Sequence, residues 1–272
     1  AVRALQPTQR WEPAILYAAF AAVFCALGFG SYWGRRWARD LILVGSVFSL
    51  ATALLAMPVI IWIVAQISTA DPRLSGVRDT VGCAVTAVLA AMMVVFISLP
   101  LSFLLFYSRR DVRLTVERLD PARRWTQAQP LPVLGAALVY AVSAAGSLAA
   151  LVHPVLPVPG GVLTGAAARG VLLAVSVASG AVAWGLYRGK RGAWMAAAGL
   201  TVAWLAFSLL SFRDLDLREL RRVAGASEEE LQQMPSVDIT LGLTVMVAVS
   251  GVVWLGYLWW LRKYFGAPRT PQ

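Results

Sequence analysis

GSYWGRRWARD, residues 30–40, is where a long apolar run stops against three arginines, Arg35, Arg36 and Arg39. A second stretch, GLYRGKRGAWM at residues 185–195, repeats it without gaps. The two share Gly30/Gly185, Tyr32/Tyr187, Gly34/Gly189, Arg35/Lys190, Arg36/Arg191 and Ala38/Ala193. Each copy follows one apolar run and precedes another, so each reads as a short basic turn between two membrane-spanning helices.

Composition extends this reading to the whole chain. Hydrophobic residues make up 59% and charged residues 14%, against roughly 45–50% and 25% in soluble domains. Runs of about 20 apolar residues can cross roughly 30 Å of hydrocarbon as helices. They lack the alternation that a membrane barrel requires. The expected fold class is therefore an all-α integral membrane helix bundle. The net charge of +10 lies in short clusters at the ends of apolar runs. That placement marks topology determinants and argues against nucleic acid as a partner.

Seven spans are expected: 13–33, 41–67, 81–107, 131–152, 167–187, 193–212 and 239–261. The first follows Arg3 and Arg10 with no small-x-small cleavage site, so it is read as a span and not a cleaved signal. Pro58 and Pro100 fall inside the two longest spans, where a tilt or kink is expected. Arginine and lysine crowd alternate loops: 35–39, 109–124, 188–191 and 262–263. The loop at 153–161 has none, and 68–80 has only Arg73 and Arg78. The positive-inside rule puts the N-terminus outside and the C-terminus in the cytoplasm, with Arg213, Arg218, Arg221 and Arg222 as the one outer group against it.

The echo extends past the basic turn. LLFYSRRDVR (104–113) and YLWWLRKYFG (257–266) both place aromatics before a basic pair. Spans one to three thus match spans five to seven as a three-plus-one-plus-three parallel repeat, with span four as connector. The chain divides into 1–130, the first repeat with its cytoplasmic loop; 131–161, the connecting helix and outer loop; and 162–272, the second repeat. Ala137, Ala141, Ala145 and Ala149 form a stripe on span four that permits close helix approach. Residues 108–130 are expected to continue span three as a surface helix until Pro121. Residues 213–236 read as two short interfacial helices on the outside, and the tail after 265 as disordered.

Chemistry inside a bilayer leaves ionisable groups within the spans, and here they are scarce. Asp40, Asp79 and Asp238 sit at or just beyond span ends, and the chain contains no asparagine. Cys25 and Cys83 form no CxxC and read as apolar fillers. No catalytic residue, metal site or cofactor is expected. Two residues stand as the candidates for cofactor binding. His153 is the only histidine, which excludes bis-histidine haem ligation within the chain; its place beside Pro154 also suits an interfacial role. Arg169, near the outer end of span five, can face a ligand or snorkel to the surface.

VRLTVERLDPARRWTQAQPLPVL (112–134) resembles a segment shared by a group of uncharacterised bacterial multi-pass membrane proteins. Arg113, Thr115, Glu117, Asp120, Pro121, Arg124, Trp125, Thr126 and the stretch 130–134 carry the pattern. VLTGAAARG, GLYRGKRGAW and LGYLWWLRKYF are similar to the same group, whose Trp-Ala-Trp-Trp is reduced here to Ala193-Trp194-Met195-Ala196. The resemblance implies a bacterial membrane protein and no activity; the expected location is the bacterial cytoplasmic (inner) membrane. The expected function is a non-catalytic subunit or scaffold of a larger membrane assembly, with the lipid bilayer and other membrane subunits as partners. The alternative is a transporter or channel for a small, weakly polar solute, laid out like the SWEET transporters and gated at Pro58 and Pro100. An enzyme ranks third, because no nucleophile–base pair can be assembled.

Overall fold

The computed structural model describes residues 11–70, 78–122, 124–213 and 240–265, with positions 220, 222, 223 and 228 between the last two stretches. Among the described residues the fold is nearly all helical, at 85%. Helix α1 covers Trp11–Tyr32, α2 Arg36–Ala70, α3 Arg78–Ser108 and α4 Arg110–Leu119. A short 3-10 turn at Trp125–Gln127 leads into α5, Leu131–Ala149. Then follow strands β1 (Val155–Val158) and β2 (Gly161–Thr164), helices α6 (Gly165–Tyr187), α7 (Arg191–Arg213) and α8 (Thr240–Leu261), and a closing 3-10 turn, Arg262–Tyr264.

Among the described residues, six helices are long and apolar enough to cross a membrane: α2, α3, α5, α6, α7 and α8. The first expected span also forms a helix, α1, whose apolar part Tyr17–Tyr32 is shorter than the other six. The all-α expectation needs one correction. β1 and β2 pair antiparallel, Leu156 facing Leu163 and Val158 facing Gly161, across Pro159–Gly160. Gly160 has φ 84°, at the position where a Pro–Gly turn requires positive φ.

Residues 108–130 also differ from expectation. α3 does not run on as a surface helix: Arg109 turns to extended backbone (φ −61°, ψ 139°), and α4 is a separate helix capped at Asp120. Pro121 would remove a helical N–H in any continuation. α2 and α3 persist through Pro58 and Pro100. The expected outer segment 213–236 and the tail 266–272 lie mostly outside the described residues; within the former, Arg222 and Glu228 pair at 3.2 Å.

Helices that follow one another pack together: α1 on α2, α2 on α3, α5 on α6, α6 on α7 and α7 on α8. α2 also meets α5 and α8, joining the two halves. The core lies among α5–α8, built by Val133, Ala137, Val182, Leu186, Ala197, Leu258 and Leu261. At its centre Tyr140 donates to Ala197 O at 2.8 Å, shares a 2.7 Å bond with Thr201 and accepts the Trp254 indole N–H at 3.4 Å. The alanine stripe on α5 is not the packing face. Ala137 is buried, but Ala141, Ala145 and Ala149 are exposed. Ala144 makes the close approach instead: Ser176 Oγ donates to its carbonyl at 2.9 Å, and a Cβ on Gly180 would lie 4.0 Å from its methyl.

The first half is far more open. Every α1 residue from position 17 to 29 except Leu27 is exposed. Apolar side chains without water-soluble cover are what a lipid-facing or partner-facing surface requires.

Candidate functional site at the arginine-rich end

The two basic turns are the same turn. Helix α1 ends with Gly34 at φ 62°, and α6 with Gly189 at φ 66°. Arg35 N–H bonds Gly30 O at 2.8 Å and Gly34 N–H bonds Ser31 O at 3.0 Å; Lys190 N–H bonds Gly185 O at 3.0 Å and Gly189 N–H bonds Leu186 O at 2.8 Å. Both are Schellman caps, in which a left-handed glycine lets the chain reverse and satisfies the last carbonyls. The paired glycines upstream have a packing reason. A Cβ on Gly30 would lie 2.7 Å from the Ala38 methyl, and one on Gly185 would lie 2.5 Å from the Ala193 methyl. The repeated Gly-x3-Gly-x3-Ala spacing is therefore a close helix-to-helix corner, used twice.

Residues 109–130 close over the first corner. Leu119 lies against Gly34, where a Cβ would come within 2.6 Å of its side chain. Asp120, which is buried, accepts the Arg36 N–H at 3.3 Å through Oδ2, taking up an N–H at the start of α2. Arg124 grips the same carboxylate with Nε and Nη2, the shortest contact being 2.8 Å. Arg36 Nη2 donates to Glu117 O at 3.0 Å, and Arg39 Nε donates to Tyr107 O at 3.1 Å. Arg113 pairs with Glu117 at 2.8 Å. Ser31 and Tyr107 join α1 to α3 through their hydroxyls.

Asp40 corrects an expectation. It lies within the first turns of α2, and it is buried. Thr126, fully buried, donates its hydroxyl to Asp40 Oδ2 at 2.8 Å, and Arg39 stands 3.5 Å from the other oxygen. A buried carboxylate is tolerable only with such partners.

The same segment reaches the second corner. Gln129 Nε2 donates to Tyr187 O at 2.8 Å, and the Tyr187 hydroxyl donates to Trp125 O at 3.3 Å. One stretch of chain thus ties both corners. This accounts for part of the pattern in residues 112–134. Glu117, Asp120, Arg124 and Thr126 serve the first corner, and Trp125 begins the contact to the second.

Charge follows geometry. The Arg124 hydrogen bond, with a smaller contribution from the Arg36 N–H, holds Asp120 below the usual carboxylate range. The Arg113 hydrogen bond does the same for Glu117. Their guanidinium partners are held above the ordinary arginine value by the same bonds. Each pairing favours the charged forms, as a structural ion-pair lock requires.

The two expected cofactor candidates lie elsewhere. His153 is exposed just before β1, and Arg169 is exposed in the first turns of α6, both at the hairpin end of the molecule. Cys25 is exposed on α1 and not packed as a filler; the side chain of Cys83 lies outside the described residues. Among the described residues, no group of three or more His, Cys, Asp or Glu side chains is placed to hold a metal ion.

Fold and site together define a helical bundle of the membrane-spanning kind, locked at one end by an arginine–carboxylate network. Comparison with known protein families, curated proteins and solved structures finds no match to this chain.

Proposed function

We propose that this chain is a non-catalytic subunit of a larger assembly in the bacterial cytoplasmic membrane. In this reading it has seven spans, the N-terminus outside and the arginine-rich end in the cytoplasm. The observation that carries the reading is how polar side chains inside the bundle are used. Tyr140 donates to Ala197 O, Ser176 to Ala144 O, Trp194 to Leu258 O and Tyr257 to Pro132 O. These donors bond backbone carbonyls of neighbouring helices, so they serve assembly of the bundle. A polar solute would need the same donors free to replace its hydration. The open apolar faces of α1 and α3 suit burial against another membrane polypeptide.

The halves are read as a duplication, supported by the matching corners and by the like packing order of α1–α3 and α6–α8. The test uses cysteines at Ser176 and Thr201 in a Cys25→Ser/Cys83→Ser background, with a photoreactive amino acid at Phe24 or Phe96 in cells. Silent cysteines and a discrete cross-linked polypeptide are expected. Water-soluble thiol reagents reaching either cysteine from one side would replace the subunit reading with the transporter.

A further inference from the structure

The two corners share a backbone but not a charge balance. At the first, Asp40, Glu117 and Asp120 pair with Arg39, Arg113 and Arg124, and Asp120 also accepts the backbone N–H of Arg36. At the second, Arg188, Lys190 and Arg191 are all exposed, and among the described residues none of them has a carboxylate partner. Two further cations stand at the same end: Arg262 and Lys263, exposed after α8. They belong to the second corner's surroundings. Tyr264 and Phe265 pack on the same core as Tyr187, Ala193 and Trp194, and Trp194 donates to Leu258 O at 2.7 Å.

Aromatic rings hold several of these cations. The Arg188 guanidinium lies 4.7 Å from the centre of the Trp184 ring, Arg262 lies 5.2 Å from Trp259, and Lys263 Nζ lies 4.1 Å from Trp260. Trp184, Trp259 and Trp260 are themselves exposed, at 58%, 65% and 46%. Exposed tryptophans under cations are the arrangement of a bilayer interface, with rings at headgroup depth and charges at phosphate depth. The first corner shows how an anion sits on this turn, since Asp120 accepts the N–H of Arg36, the counterpart of Arg191.

We propose that the second corner, with the end of α8, is a binding site for a phosphate-bearing anion, filled in the membrane by the phosphodiester of an anionic lipid headgroup. Arg188, Lys190 and Arg191 supply the charge, while Trp184, Trp259 and Trp260 set the depth. At the first corner the chain's own Asp120 already occupies the anion position, on the N–H of Arg36, so the first corner does not share this preference. The inference is independent of whether the chain is a subunit or a transporter.

The full chain, purified in a neutral detergent, is titrated in native mass spectrometry with phosphatidylglycerol, phosphatidylcholine, or inorganic phosphate alone. Wild type is expected to retain phosphatidylglycerol in preference to phosphatidylcholine. The triple variant R188Q/K190Q/R191Q should lose that preference by about tenfold or more, given roughly 1 kcal/mol per basic residue near an anionic surface. R188K/R191K should keep it, and R109Q/R110Q/R118Q, which removes equal charge on and beside α4, should keep it as well. Equal loss in both triple variants, or loss in neither, overturns the site. Inorganic phosphate displacing the lipid at millimolar level would assign the same chemistry to a soluble phosphate source and overturn the headgroup assignment. Should the triple variant fail to fold, K190Q alone is compared with R118Q by the same ratio of lipids, and equal ratios overturn the site.

Discussion

At the scale of single residues, the lock over the first corner depends on two buried carboxylates with different partners. Thr126 gives Asp40 its one side-chain hydroxyl bond. Thr126→Val keeps the volume and removes that donor, and is expected to cost about 1–3 kcal/mol, read as a lower unfolding midpoint in detergent. Thr126→Ser should recover most of the loss. Asp120 carries the pH dependence. Its pKa is depressed by Arg124, so its contribution is fully present above the ordinary carboxylate value of roughly 4 and is lost as pH falls below it. Thermal unfolding measured from about pH 6 down to about pH 3 should show an acid-labile phase. Asp120→Asn should diminish that phase while lowering stability at neutral pH. An unchanged acid profile in Asp120→Asn would remove Asp120 from the lock.

At the scale of elements, the corners were visible in the sequence because glycine spacing reports backbone directly. Gly30 and Gly34, with Gly185 and Gly189, could be aligned before their φ angles or near contacts were known. Gly30→Ala and Gly185→Ala each force a contact under 3 Å with a neighbouring methyl and are expected to destabilise by about 1–3 kcal/mol. Gly28→Ala, with nothing near the new methyl, is the matched control and should be close to neutral or slightly stabilising. The partners of Asp40 were not visible. In sequence Asp40 stands just before an apolar run and so reads as a span-end residue; its buried partner, Thr126, lies 86 positions away. The hairpin was missed for a related reason: strands of four residues, VLPV and GVLT, are too short for alternation to distinguish them from loop. Nor did the alanine spacing on α5 say which side meets α6, since small residues occur on several of its faces.

At the scale of the whole molecule, the membrane character was legible from composition and run length, because burial in lipid needs no tertiary information. The uneven distribution of core between the halves was not. α5–α8 enclose a packed interior, while α1 and much of α3 present apolar side chains outward. The proposed orientation makes a direct prediction for this molecule. With native cysteines replaced, Arg118→Cys on α4 and Glu228→Cys, both exposed, should behave oppositely toward an impermeant thiol reagent on intact cells. Position 228 should label and position 118 should not, until the membrane is opened. The reverse pattern would invert the topology and with it the side on which the proposed lipid site lies.

The long separation between Asp40 and Thr126 also imposes a schedule on biogenesis. A ribosome adding roughly 5–20 residues per second needs roughly 4–17 s to travel those 86 positions. During that interval α1, α2 and α3 have been made, yet the buried acid near the start of α2 has no hydroxyl to meet. Nascent chains halted before position 126 therefore hold the first corner unlatched, open to water or to a chaperone. Only once residues 120–130 have left the ribosome can the first corner latch, while the second must wait for α6.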